Sequence, residues 1–145
     1  MVFTDGSGVR ADVVITCTGF GLRLPEGLDP RTVLTADGRI ALYHRVAAPR
    51  HPGLFVVGWV KPFGSATRLM EAQADWVADL ITGQAALPDV EVMDAEISAW
   101  LDRSERFGRT ATATLQVTPG AYLRDLRAEH DAARDRATAC ASGSV

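Results

Sequence analysis

Two runs of apolar residues constrain what this chain can fold into: Val13-Val14-Ile15, leading into Cys17-Thr18-Gly19-Phe20, and Leu54-Phe55-Val56-Val57-Gly58. Runs without polar alternation read as strands covered on both faces, the condition of parallel strands inside an α/β sheet rather than of an exposed hairpin. Two such strands do not make a sheet by themselves, because both faces and both edges need cover. The chain offers few further strands or helices for that purpose, so it reads as a piece of a larger fold.

Turn signals divide the rest of the first half. Val2-Phe3-Thr4 and the segment from Arg10 flank Asp5-Gly6-Ser7-Gly8, which predicts a hairpin feeding the first buried strand. Structure beginning as early as residue 2 suggests a shortened chain. Residues 21–30 carry Gly21, Pro25, Gly27 and Pro30 and read as a surface loop. A second hairpin is expected around Ala36-Asp37-Gly38-Arg39, and Pro49 and Pro52 break the chain before Leu54.

The best-defined helix starts near Ala66. Leu69, Met70, Ala74, Val77 and Ile81 recur with a period near 3.6, Arg68, Glu71, Asp75 and Asp79 fall opposite, and Gly83 ends the pattern. Ser65 is the expected N-cap, and Pro62-Phe63-Gly64 lets the backbone come close to whatever lies in front of the helix. Gln73 interrupts the apolar stripe. An unpaired buried amide costs about 1–3 kcal/mol, so Gln73 needs a hydrogen-bonding partner, with a neighbouring loop backbone favoured over a cofactor. A further helix fits residues 90–107, capped by Asp89 and closed by Gly108, with Val90, Met93, Ile97, Trp100 and Phe107 on one face. Residues 110–118 read as extended. Pro119 suits the start of a last helix reaching about Arg136 with a thin apolar face of Tyr122, Leu123 and Leu126, and residues 137–145 read as a disordered tail.

Composition excludes several functions. A formal charge of -3 with scattered Lys and Arg gives no basic stripe for nucleic acid. No apolar stretch approaches the roughly 18 residues needed to span a bilayer, and the N-terminus lacks a basic region followed by an apolar one, which points to a cytoplasmic chain. Cys17 and Cys140 suggest structural thiols rather than a disulfide framework. His44, His51 and His130 have no metal-ligand spacing, and Gly6-Ser7-Gly8 and Gly19-Phe20-Gly21 lack the third glycine of a dinucleotide fingerprint. Glu71 and Asp75 read as a solvated helix surface. What remains is the strand, glycine turn and helix across residues 56–67. A helix N-terminus carries roughly half a positive charge and unpaired N–H groups, so it stabilises an anion such as the pyrimidine edge of a reduced flavin. The alternative is that Gly58 and Gly64 merely permit a tight connection.

The order Asp5-Gly6-Ser7, Ala11-Asp12-Val13-Val14-Ile15, Cys17-Thr18-Gly19-Phe20, Leu42-Tyr43, His51-Pro52, Gly58, Pro62-Phe63-Gly64 and Glu71-Ala72-Gln73-Ala74 resembles the C-terminal third of the flavin-containing monooxygenases. Leu87-Pro88, Met93, Arg106-Phe107-Gly108 and Tyr122-Leu123-Arg124-Asp125-Leu126 extend the resemblance to about Glu129. It implies an α/β fold class: a partial, incomplete FAD/NAD(P)-binding, Rossmann-like flavoprotein domain with hairpins and C-terminal helices. Residues 1–88 would be the C-terminal part of the nucleotide-binding domains, residues 89–136 a helical extension and residues 137–145 the tail.

The resemblance also implies chemistry. Such enzymes bind FAD and NADPH and oxygenate a nitrogen or sulfur nucleophile, a small amine or sulfide, through a flavin hydroperoxide. Thr18 and Gly19 would lie in the turn linking the nucleotide domains, Gly64, Ser65 and Ala66 near the pyrimidine edge of the flavin, and Gln73 behind them as support. No catalytic residue and no metal ligand carries over. Both cofactor fingerprints of the family are absent here, so the isolated chain is expected to be inactive. A non-catalytic interaction module that self-associates through apolar faces is the alternative, and a related flavin-dependent reductase is disfavoured because no Cys-x-x-Cys pair is present.

Overall fold

The computed structural model describes residues 1–15 and 21–142. Its elements are β1 (Lys61–Pro62), α1 (Thr67–Ile81), α2 (Val90–Ser104), α3 (Ala111–Thr114), β2 (Gln116–Val117) and α4 (Pro119–Ser142), with single 3-10 turns at Pro30–Thr32 and Glu105–Phe107.

Both predicted hairpins form, each pinned by one antiparallel bridge: Val2 with Gly8 and Leu34 with Ile40. In the first, Gly6 adopts a φ of 84° and the Ser7 N–H donates to Asp5 Oδ1 at 2.9 Å. This hairpin does not feed a buried strand. Val13, Val14 and Ile15 are 78%, 54% and 82% exposed and have no strand partner among the described residues. Their apolar character marks a need for cover that no neighbouring described segment supplies. The Cys17-Thr18-Gly19-Phe20 turn lies outside the described residues.

The second apolar run also departs from a regular strand. Phe55 bridges Ala47, the Val56 N–H donates to the Val46 carbonyl at 2.9 Å, and Leu54 and Val56 pack against a small core of Val33, Ile40, Leu42 and Ala48. A short hairpin-like contact, not a central sheet, covers these residues. The parallel pairing expected of an α/β chain occurs further on and is brief: Lys61 opposes Gln116, Pro62 opposes Val117, and the Lys61 N–H donates to the Leu115 carbonyl at 2.6 Å. The architecture is thus a mixture of helices with short extended pieces.

Residues 110–118 are not extended throughout. Thr110 Oγ1 accepts the Ala113 N–H at 3.2 Å and so caps α3, and only the following Gln116–Val117 joins a strand. Capping by threonine here outweighs its intrinsic preference for extended backbone. α2 and its 3-10 extension together fill the expected 90–107 span, and Gly108 closes it with a φ of 112°. Asp89 stands at the cap position, although its side chain makes no capping hydrogen bond. The buried face of α2 is Met93, Ile97, Leu101 and Ser104, while Phe107 is exposed.

The helices α1 and α4 pack side by side and run in the same direction. Gln73 meets Tyr122, Asp79 meets His130 and Arg134, and the Ala86 N–H donates to the Ala133 carbonyl at 2.9 Å, so the numbers rise together along both helices. The face of α1 that enters this contact is Leu69, Gln73 and Trp76. It is rotated by about one residue, roughly 100°, from the predicted stripe, and Met70 and Ile81 are exposed as a result. Leu69, Trp76, Met93, Val117, Tyr122, Leu126 and Ala133 form the larger core together with Tyr43, Val46 and Ala47. α4 continues beyond the expected end near Arg136, so residues 137–142, expected to be disordered, are helical. Arg136 pairs with Glu129 and its Nε donates to the Ala86 carbonyl at 3.0 Å, which ties this end of the helix to the loop after α1. Among the described residues no helix is long and apolar enough to cross a membrane.

Candidate functional site

Two glycines, one before β1 and one after it, shape the approach of the chain to α1. Gly58 adopts a φ of 93°, and a Cβ there would stand 3.3 Å from Met70 Sδ. Gly64 adopts a φ of 103° with open space where a side chain would begin. Both are backbone conformations that glycine alone takes without strain. Helical backbone begins at Ala66, not at the predicted cap Ser65. Ser65 Oγ instead accepts the Thr67 N–H at 3.3 Å, a local turn that competes with regular capping.

Gln73 holds this connection from behind. Its side chain is fully buried, Oε1 accepts the Gly58 N–H at 2.8 Å, and Nε2 donates to Tyr122 Oη at 2.6 Å. Tyr122 in turn donates to the His44 carbonyl at 2.8 Å. The expected hydrogen-bonding partner of Gln73 is therefore a backbone group of the preceding loop, and a second partner comes from α4. Replacing Gln73 with Leu leaves the Gly58 N–H without an acceptor and the tyrosine oxygen without a donor. Unmet buried groups cost about 1–3 kcal/mol each, so a loss of about 2–4 kcal/mol is expected in urea unfolding, with an unchanged slope. A loss below about 0.5 kcal/mol, the level of an ordinary surface change, would show that the network contributes nothing.

The predicted site residues are thus placed unevenly. Gly64, Ser65 and Ala66 form one continuous turn at the start of α1, with Gly64 and Ser65 exposed and Ala66 partly buried. Gln73 lies two turns along the helix and reaches Gly58 rather than these three. Thr18 and Gly19 lie outside the described residues.

The loop that receives Tyr122 is unusual. His44 and Arg45 have φ values of 47° and 62°, the left-handed region, which costs ordinary residues about 1 kcal/mol or more each. Glu96 of α2 compensates, accepting the His44 N–H at 3.2 Å and Arg45 Nη2 at 2.6 Å. Arg45 is buried beside Trp100. Burial pushes the His44 imidazole down to about 4, opposed by Glu96 and reinforced by Arg45, with Asp125 and Arg103 as weaker neighbours. The folded chain therefore keeps His44 neutral where the unfolded chain would take a proton. Its stability is complete above the ordinary value of 6.5 and is lost as the pH falls toward about 4, by about 3 kcal/mol in all. His44→Asn, which tolerates left-handed backbone, is expected to flatten that slope in denaturation midpoints measured between pH 6.5 and 4; an unaltered slope would rule the histidine out as its source.

Sequence reasoning missed Trp76, the hydroxyl role of Tyr122 and the Arg45–Glu96 pair. Trp76 sits beside Asp75 and Ala74 in a stretch that fits two adjacent helical faces. The ion pair joins residues 51 positions apart, which no local pattern encodes.

Comparison with known proteins agrees with the motif order. The family model described as flavin-binding monooxygenase-like matches residues 1–136. Trimethylamine monooxygenase of Roseovarius sp. (strain 217) is 35% identical over 132 residues, covering 89% of this chain and 29% of that protein. Flavin-containing monooxygenase 1 of Mus musculus is 33% identical over 119 residues, covering 79% of this chain and 22% of its own length. Flavin-containing monooxygenase FMO GS-OX5 of Arabidopsis thaliana is 31% identical, covering 83% of this chain and 26% of its own length. The chain spans less than a third of the length of these curated relatives. With the family match running through α1 and most of α4, the two helices that Gln73 joins, the chain belongs to the flavin-binding monooxygenase-like family.

Proposed function

We propose that this chain is the C-terminal part of an FAD- and NADPH-dependent monooxygenase acting on a small amine or sulfide, and that its share of the work is to present the start of α1 to the flavin within a Rossmann-like nucleotide-binding framework. The observation that carries this reading is the glycine turn leading into α1, backed by the buried Gln73 bridge, in a chain of this family. The residues suit the group. The first turn of α1 contains no carboxylate, its leading N–H groups are the kind that receive negative charge, and Gly64 leaves open space that a Cβ would occupy. Gly64, Ser65 and Ala66 would hold the pyrimidine edge by backbone donors, and Thr18 and Gly19 would belong to the nucleotide-domain turn. The bound flavin would supply the redox chemistry, in which NADPH is the reductant and molecular oxygen the oxidant, one oxygen atom going to nitrogen or sulfur and the other to water. Gln73 would support this region from behind by holding the incoming chain at Gly58, ahead of β1 and the turn.

These 145 residues alone carry neither glycine fingerprint and are expected to bind FAD poorly and to consume no NADPH. Two measurements test the reading together. The purified chain mixed with FAD should retain no visible flavin absorbance after gel filtration. A chimera in which this chain replaces the matched segment of the Roseovarius trimethylamine monooxygenase should retain flavin and oxidise NADPH. A folded chimera devoid of flavin, or turnover by the isolated chain, would defeat it. The exposed Val13, Val14 and Ile15 favour a second reading, self-association of the isolated chain, which the same gel filtration reports as a dimer or larger species.

A further inference from the structure

The described residues leave the Val13-Val14-Ile15 run open on every side. All three side chains are exposed, and no backbone hydrogen bond joins residues 10–15 to any described residue. In an extended run alternate side chains point to opposite faces, so Val13 and Ile15 share one face and Val14 takes the other. Both faces are therefore apolar. β-branched residues at consecutive positions favour extended backbone, and apolar side chains on both faces mark a strand inside a sheet with a covering layer on each side. Val2, Phe3 and Val9 of the preceding hairpin are exposed as well, an apolar concentration that soluble chains rarely leave bare.

Whatever covers such a run has to supply a strand along each edge and a layer over each face. A second copy of this chain, pairing through the same run, adds one strand along one edge and leaves the other edge open. The described helices of this chain do not lie over the run, since its side chains are exposed. A layered α/β sheet with a vacant strand position fits on all four sides. The family match takes in this run, and more than two thirds of each relative's length lies outside the segment that this chain matches. That remainder has no counterpart among these 145 residues, and it belongs to the same fold as the strand that needs cover.

We propose that Val13-Val14-Ile15 docks as an internal strand into the α/β sheet of a second polypeptide that carries the rest of a flavin-binding monooxygenase-like fold. Backbone hydrogen bonds along both edges fix its register, and the apolar side chains meet the layers above and below. Docking of this kind rests on the reading of the chain as part of such an enzyme and requires no bound flavin.

Co-expression of this chain, affinity-tagged, with the part of the Roseovarius trimethylamine monooxygenase outside the matched segment tests the docking. The two polypeptides should co-purify as a soluble complex. Hydrogen exchange of the Val13, Val14 and Ile15 amides should be about tenfold or more slower in the complex than in the chain alone, at all three positions, because successive N–H groups of a strand point to opposite edges and only an internal strand has both paired. Pairing along one edge protects alternate amides only. Val14→Lys puts an unpaired ammonium on a covered face and should lower the yield of complex about tenfold or more. The circular dichroism spectrum of the isolated variant should stay unchanged, because the side chain is exposed there. Ile81→Lys, a like change at an exposed residue of α1, should leave the yield intact. Failure to co-purify, a complex in which these amides exchange as in the chain alone, protection of alternate amides only, an undiminished yield with Val14→Lys, or an equal loss with Ile81→Lys would overturn the proposal. A complex with all three amides protected but no retained FAD supports the docking and counts against the flavin reading. The chimera holding flavin while the separate polypeptides stay apart does the reverse.

Discussion

Truncation of Trp76 to alanine is expected to destabilise the chain by about 3–5 kcal/mol, the range for a large aromatic removed from a closed core. Trp76 is fully buried, with its ring 6.0 Å from Tyr43 and 5.8 Å edge-on from His44. It packs α1 against the loop that carries Tyr43 and His44. Its Nε1 is buried without a partner, so the substitution removes packing and no hydrogen bond. The companion variant Trp76→Phe keeps most of the ring volume and removes the unmet N–H, and is expected to cost less than half as much. Urea unfolding followed by circular dichroism measures both. A loss below about 1 kcal/mol for Trp76→Ala, typical of an average substitution, would mean that the core closes around the vacated volume and that Trp76 does not organise it.

Glu96→Ala is expected to cost about 3 kcal/mol, because it strands Arg45 as a buried cation and deprives the His44 N–H of its acceptor in one step. Removal of both charges should be far milder. The Arg45→Met/Glu96→Leu pair replaces two desolvated ions with apolar side chains of similar length, and such exchanges are often neutral in stability. A double-mutant cycle separates the two effects, with a coupling of about 1–3 kcal/mol expected between the sites. Additive losses would show that the pair is held by its surroundings and not by mutual attraction.

These two residues also show where the sequence could and could not be read. Gln73 was legible because a lone amide on an apolar helix face has few places to go, and a backbone partner in the adjoining loop is the nearest. Gly108 and Pro119 marked helix ends through local backbone rules that need no tertiary context. The strand assignments fared worse. Val13-Val14-Ile15 has the composition of a covered strand, but strand formation depends on a partner and the described residues supply none. Leu54 to Gly58 found partial cover from Val46 and Ala47 and bent accordingly. The α1 face was misjudged by one residue because Met70, Ala74 and Ile81 offered a second apolar arc beside Leu69, Gln73 and Trp76, and the choice between them is made by α4. Of the site, the glycine turn was readable. The Tyr122 and Glu96 contributions were not, because each joins segments about fifty positions apart.

That last property of the α1–α4 contact governs how the chain must assemble. The bonds from Gln73 to Tyr122, Asp79 to His130 and Asp79 to Arg134 span 49, 51 and 55 positions. None of them can form until the intervening segment has closed into a loop, an entropic cost that must be met before any of these contacts gives a return. The hairpin at Ala36-Asp37-Gly38-Arg39 and the turns of α2 involve near neighbours and are free to form early. Docking of α4 onto α1 is therefore expected as the late, rate-setting event of folding, and the amides that rely on it should be among the last to gain protection from solvent exchange.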